Sequence, residues 1–73
     1  MLALLQAGAD VDKAWDGGFT PLYIASQNGH VPVVQALLQA GADVDKAMDD
    51  GCTPLIIASH RGRLPVVQAL LHA

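Results

Sequence analysis

The sequence predicts an all-α solenoid of stacked helix-turn-helix units with projecting turn loops, and three observations predict it. The segment from Leu4 to Ala36 returns as Leu37 to Ala69, an offset of 33 residues with 25 of 33 positions identical. Thr-Pro pairs, Thr20-Pro21 and Thr53-Pro54, stand at the same place in each copy, and Gly29, Gly41 and Gly62 close the apolar stretches. A fixed period of this length marks a stack of supersecondary units, each burying its apolar face on the next.

Taken in order, the chain opens with Met1-Leu2-Ala3-Leu4-Leu5. This stretch lacks a basic flank and is broken at Gln6 and Gly8, so it reads as neither a signal peptide nor a membrane span. Repeat register makes Leu2 to Ala7 the second helix of a partial repeat, with residues 1–14 as that helix and its loop. Asp16-Gly17-Gly18 supplies turn formers. Thr20 then caps a helix whose first turn holds Pro21, where the missing N–H costs nothing. The helix runs through Leu22, Ile24 and Ala25 and stops at Gly29, which closes it in a left-handed conformation.

A second helix begins near Pro32. Its Val33, Val34, Leu37 and Leu38 fall at helix angles of roughly 0°, 100°, 40° and 140°, one buried stripe, with Gln35 and Gln39 pointing away. Gly41 ends it. The alternation in Ala42-Asp43-Val44-Asp45-Lys46-Ala47 predicts an extended arm, and Asp49-Asp50-Gly51 the next turn. Residues 15–47 thus form one full repeat. Residues 48–73 form a second that lacks its final loop, and the whole is a single domain, 1–73.

Composition narrows the function. Apolar residues make up 52% of the chain, but the aromatics are only Trp15, Phe19 and Tyr23. The core is therefore shallow and a deep substrate cleft is not expected. All seven acidic residues are Asp and the net charge is −3, which argues against phosphate-dominated nucleic-acid binding. Cys52 is the only cysteine, so no internal disulfide can form. Together with the missing signal peptide this fits an intracellular protein, and the sequence fixes no compartment more closely. His30, His60 and His72 occupy different places in the repeat, so neither a metal site nor a cofactor is expected. Cys52 and His60 stand eight residues apart in a turn-then-helix unit with no orienting third group, and Asp10 and Asp12 recur as Asp43 and Asp45. Recurring loop carboxylates behave as structure, so no catalytic constellation is expected.

The run Gly18-Phe19-Thr20-Pro21-Leu22-Tyr23-Ile24-Ala25-Ser26, then Gly29-His30, Val33-Val34, Leu37-Leu38 and Gly41-Ala42-Asp43, resembles an ankyrin repeat, and the second copy repeats it from Gly51. The resemblance covers essentially the entire chain, about two repeats. The family usually carries His after Thr-Pro-Leu, a tie between neighbouring turns, where this chain has Tyr23 and Ile56. Its usual Asp before the turn is replaced by Trp15 and Met48. The resemblance therefore implies either apolar contacts in place of those ties or looser turns.

By the same resemblance, partners bind the concave surface of turns and inner helices. That surface maps to Trp15, Asp16, Gly17, Phe19, Tyr23, Gln27 and Asn28 in the first copy and to Met48, Asp49, Asp50, Cys52, Ile56, His60 and Arg61 in the second. The eight differing pairs are Trp15/Met48, Gly17/Asp50, Phe19/Cys52, Tyr23/Ile56, Gln27/His60, Asn28/Arg61, His30/Arg63 and Val31/Leu64. All but the last two lie at or beside that surface. Trp15, Phe19 and Tyr23 are candidate anchors, although Trp15 or Tyr23 equally suits a covering role over the adjoining helices. His60, Arg61 and Arg63 form a small basic spot that suits an acidic partner or simply a solvated helix end.

Two functions follow. The first is a non-catalytic protein-protein interaction module gripping a partner protein on the concave side. The second is a truncated or engineered repeat unit that associates with itself, as a homo-oligomer, through apolar end faces. No nucleic-acid or membrane partner is expected.

Overall fold

The computed structural model describes residues 11–73, over which four α-helices follow one another: α1 (Pro21–Asn28), α2 (Val31–Gln39), α3 (Pro54–His60) and α4 (Leu64–Leu71). The expected helix from Leu2 to Ala7, with its end at Gly8, lies outside the described residues. Helix α1 packs on α2 and α3 on α4 to give two hairpins, and the hairpins stack in two layers, α1 on α3 and α2 on α4.

Local chemistry places each boundary. Thr20 and Thr53 are extended N-caps whose hydroxyls accept from the Tyr23 and Ile56 backbone N–H at 3.1 and 3.2 Å. Each cap satisfies a donor that the first turn otherwise leaves orphaned. Gly29, at φ 74°, closes α1, and the next N–H, from His30, returns to the Ala25 carbonyl at 3.0 Å. A left-handed residue there costs glycine nothing and reverses the chain directly into α2. Helices α2 and α4 have no side-chain cap. Their prolines, Pro32 and Pro65, sit in the first turn as expected.

The buried cluster is Leu22, Ala25, Val34, Leu37, Ala42, Ala58, Val66 and Leu70, with Val33, Leu38, Leu55 and Val67 partly buried against it. The expected stripe is thus correct in outline but unequal in depth: Val34 and Leu37 lie at its centre, Val33 and Leu38 at its margins. Every member of the cluster stands at a position that is the same residue in both copies. Ser26 is also fully buried, and its hydroxyl has no hydrogen-bond partner among the described residues. Its counterpart Ser59 is exposed, so the same residue meets solvent in one unit and the seam in the other.

One element differs from expectation. No strand occurs among the described residues, and residues 43–46 form a turn rather than an extended arm. The Asp43 carboxylate accepts from the Asp45 N–H at 2.9 Å, and this side-chain turn captures the backbone before it extends.

Candidate binding face

The two turns that carry the pairs Trp15/Met48, Gly17/Asp50 and Phe19/Cys52 are built alike. In the first, the Trp15 N–H donates to Phe19 O and the Gly18 N–H to Trp15 O, both at 2.9 Å. In the second, Met48 N–H donates to Cys52 O and Gly51 N–H to Met48 O, both at 2.8 Å. Residues Asp16–Gly18 form a single 3-10 turn, with Gly17 at φ 87°. The Asp50 carboxylate holds the second turn by accepting from the Cys52 N–H at 2.9 Å.

The turns are tied side by side. Asp49 N–H donates to Gly17 O at 3.0 Å, and a Cβ on Gly18 would stand only 3.0 Å from the Asp49 nitrogen and the Met48 Cα. Tyr23, at the place expected to lack a tie, supplies another: its hydroxyl reaches Cys52 Sγ at 3.6 Å and its ring meets Phe19 edge-on, centroids 5.6 Å apart. Burial, then the bond to Cys52, pushes the Tyr23 phenol up to about 12.

Exposure sorts the expected residues. Trp15 is 70% exposed and Ile56 53%, whereas Tyr23 is only 6% exposed and offers a partner the least surface of the three aromatics. Asp16, Gly17, Asn28, Asp49, Asp50, His60 and Arg61 are exposed; Phe19, Gln27, Met48 and Cys52 are half-buried. Arg63, expected beside His60 and Arg61 in a basic spot, is exposed and also donates from Nε to the Gln27 carbonyl at 3.2 Å, which bridges the hairpins. Two further bridges were missed. Asp12 accepts from the Asp43 N–H at 2.9 Å through its carboxylate, and from Lys46 Nζ at 2.8 Å through its carbonyl. The recurrence of Asp12 as Asp45 and of Asp10 as Asp43 was the available signal, but it does not say which copy reaches which.

Among the described residues, two clefts differ in their relation to the expected partner residues. One, of about 450 Å³, lies beside Trp15, Ile24, Asn28 and Val33, so it includes two of the expected partner residues. The other, of about 510 Å³, lies between Leu38, Ala42, Val44 and Ala69 and includes none of them. Among the described residues no group of three or more His, Cys, Asp or Glu could hold a metal ion, and no helix is long and apolar enough to cross a membrane.

A family model for ankyrin repeats, in three copies, matches residues 1–73. The chain belongs to the ankyrin repeats. No curated protein matches it. Ankyrin repeats are generally protein-protein interaction modules and are typically non-catalytic. In this ankyrin chain the usual His tie is answered at one seam by the Tyr23 hydroxyl on Cys52, while Ile56, at the same place in the second copy, stands largely in solvent.

Proposed function

We propose that the chain is a non-catalytic module that binds a partner protein on the surface formed by the turns 15–19 and 48–52 together with α1 and α3. One observation carries this reading. Of the residues in the eight differing pairs only Tyr23 is buried, while every buried member of the core cluster is identical between copies. Apart from Tyr23, sequence variation thus falls where a partner could meet it, and the core cluster carries none. Trp15 and Arg61, an exposed indole and an exposed guanidinium, are of the types that dominate interface energy. Asp16, Asp49 and Asp50 at the turn tips favour a partner with basic groups opposite them.

The test is affinity capture with the 73-residue chain as bait, beside Trp15→Ala and Arg61→Ala on the face and Gln39→Ala and Gln68→Ala away from it. Proteins retained by the parent chain and the glutamine variants, and lost with the face variants, support the reading. Loss with the glutamine variants alone overturns it.

A further inference from the structure

We propose that Asn28 is a site of spontaneous deamidation that the folded chain holds shut through the closure of α1, and that its isoaspartyl product can no longer make that closure. Asn28 is the chain's only asparagine, and Gly29 follows it. The side-chain amide and the next backbone nitrogen are the two reactants of succinimide formation, and glycine, lacking a side chain, leaves that nitrogen open to close approach. Asn28 is exposed, so water reaches the amide. The second copy has Arg61 before Gly62, a closure of like build that cannot react.

The reaction balances with water alone. The Gly29 amide nitrogen loses its proton and attacks the Asn28 side-chain carbonyl carbon; a new N–C bond forms, the bond to the side-chain nitrogen breaks, and ammonia leaves with the proton. Water then opens the ring imide. Addition at the side-chain carbonyl restores the ordinary main chain with an aspartyl residue in place of Asn28, whereas addition at the main-chain carbonyl leaves the backbone running through the side-chain carbon and so longer by a carbon.

In the folded chain the attacking nitrogen is occupied. Asn28 ends α1, and the Gly29 N–H donates back to the Ala25 and Ser26 carbonyls, the latter at 3.3 Å. Helical backbone at Asn28 also turns that nitrogen away from the side-chain carbonyl carbon. Opening of the last turn is therefore the step that admits reaction. The second hairpin clamps this turn: Arg63 Nε donates to the Gln27 carbonyl at 3.2 Å, and its Cδ stands 3.0 Å from where a Cβ on Gly29 would lie.

The isoaspartyl product undoes the closure that held it back. Gly29, at φ 74°, brings the His30 N–H onto the Ala25 carbonyl at 3.0 Å, a reversal that depends on fixed spacing along the main chain. An added backbone carbon just before Gly29 displaces that N–H, so α1 no longer turns directly into α2. The aspartyl product keeps the spacing and adds only a negative charge at a helix C-terminus, close to Arg63. The site thus works in one direction: a chain that has stood open long enough is marked and does not close again as before. None of this depends on whether a partner protein binds the turns.

Incubation of the 73-residue chain at mildly alkaline pH, native and in guanidinium chloride, tests this. Peptide mass mapping follows the exchange of amide for carboxyl at Asn28, and Asp-specific proteolysis separates the aspartyl from the isoaspartyl product. Conversion should be roughly tenfold or more slower in the native chain. Arg63→Ala, checked for helix content by circular dichroism, should raise the native rate severalfold and leave the denatured rate unchanged. The purified isoaspartyl chain should melt well below the parent, while Asn28→Asp should melt close to it. Equal rates in the native and denatured chain, or no conversion in denaturant, overturn the proposal. So does an isoaspartyl chain that melts with the parent, or an Asn28→Asp chain that melts as low as the isoaspartyl one, which would assign the damage to charge rather than to the longer backbone. A folded Arg63→Ala chain with the parent's native rate overturns the clamp.

Discussion

Tyr23 does the work of two residues. Its backbone N–H closes the Thr20 cap and its hydroxyl spans to the next turn at Cys52. From the unfolded phenol's ordinary value of 10.0 to the folded value of about 12, the folded chain keeps a proton that the unfolded chain has lost. Stability is therefore intact below about pH 10 and falls as the pH rises across that window. Tyr23 is the only tyrosine, so ultraviolet titration of tyrosinate reads this group alone. A midpoint well above 10 in the folded chain, and a melting temperature that falls less steeply over the window in Tyr23→Phe, are the expected results. Whether Tyr23 anchors a partner or covers the adjoining helices was left open by the sequence. Its bond to Cys52 spans twenty-nine positions, and only the relative placement of two turns brings them together.

At the scale of the element, boundaries are decided within a few residues, and the sequence revealed them. Thr before Pro starts α1 and α3, and glycine follows the close of α1 and α2, because cap and left-handed closure are local chemistry. The segment after Gly41 was misread because alternation of Ala42, Val44 and Asp suits both an arm and a turn, and the Asp43 carboxylate chooses the turn. Two glycines at the same place in the turns give a controlled comparison. Gly51, at φ 88°, has open space around a would-be Cβ, while Gly18, at φ 90°, has the next turn's backbone at 3.0 Å. Gly51→Ala should cost about 1–2 kcal/mol for the left-handed backbone alone. Gly18→Ala should cost more, because it also parts the turns and breaks the bond from Asp49 N–H to Gly17 O; urea melts of the two variants settle the order.

For the whole molecule, stability rests on one seam shared by both hairpins. Leu37 is fully buried at its centre, and Leu37→Ala should cost about 2–5 kcal/mol, a large share of the stability of a single domain. Leu71→Ala, on a side chain that is 65% exposed, should stay within about 0.5 kcal/mol in dilute solution. Thermal melts that move equally would show that the seam is not where the strain falls. The stack was readable because every residue of the core cluster repeats unchanged between the copies, whereas Tyr23, which differs, is buried all the same. The bridges across the seam were not readable, since Arg63 to Gln27 and Lys46 to Asp12 depend on how far one hairpin sits from the next.

Trp15 turns the candidate face into its own instrument. It is the chain's only tryptophan, and its indole stands 70% in solvent at the edge of the first turn. Excited at a wavelength that Tyr23 does not absorb, the native protein therefore reports that one spot alone. Whatever settles there and dries the ring will shift the spectrum toward the blue, without a dye attached or a residue changed.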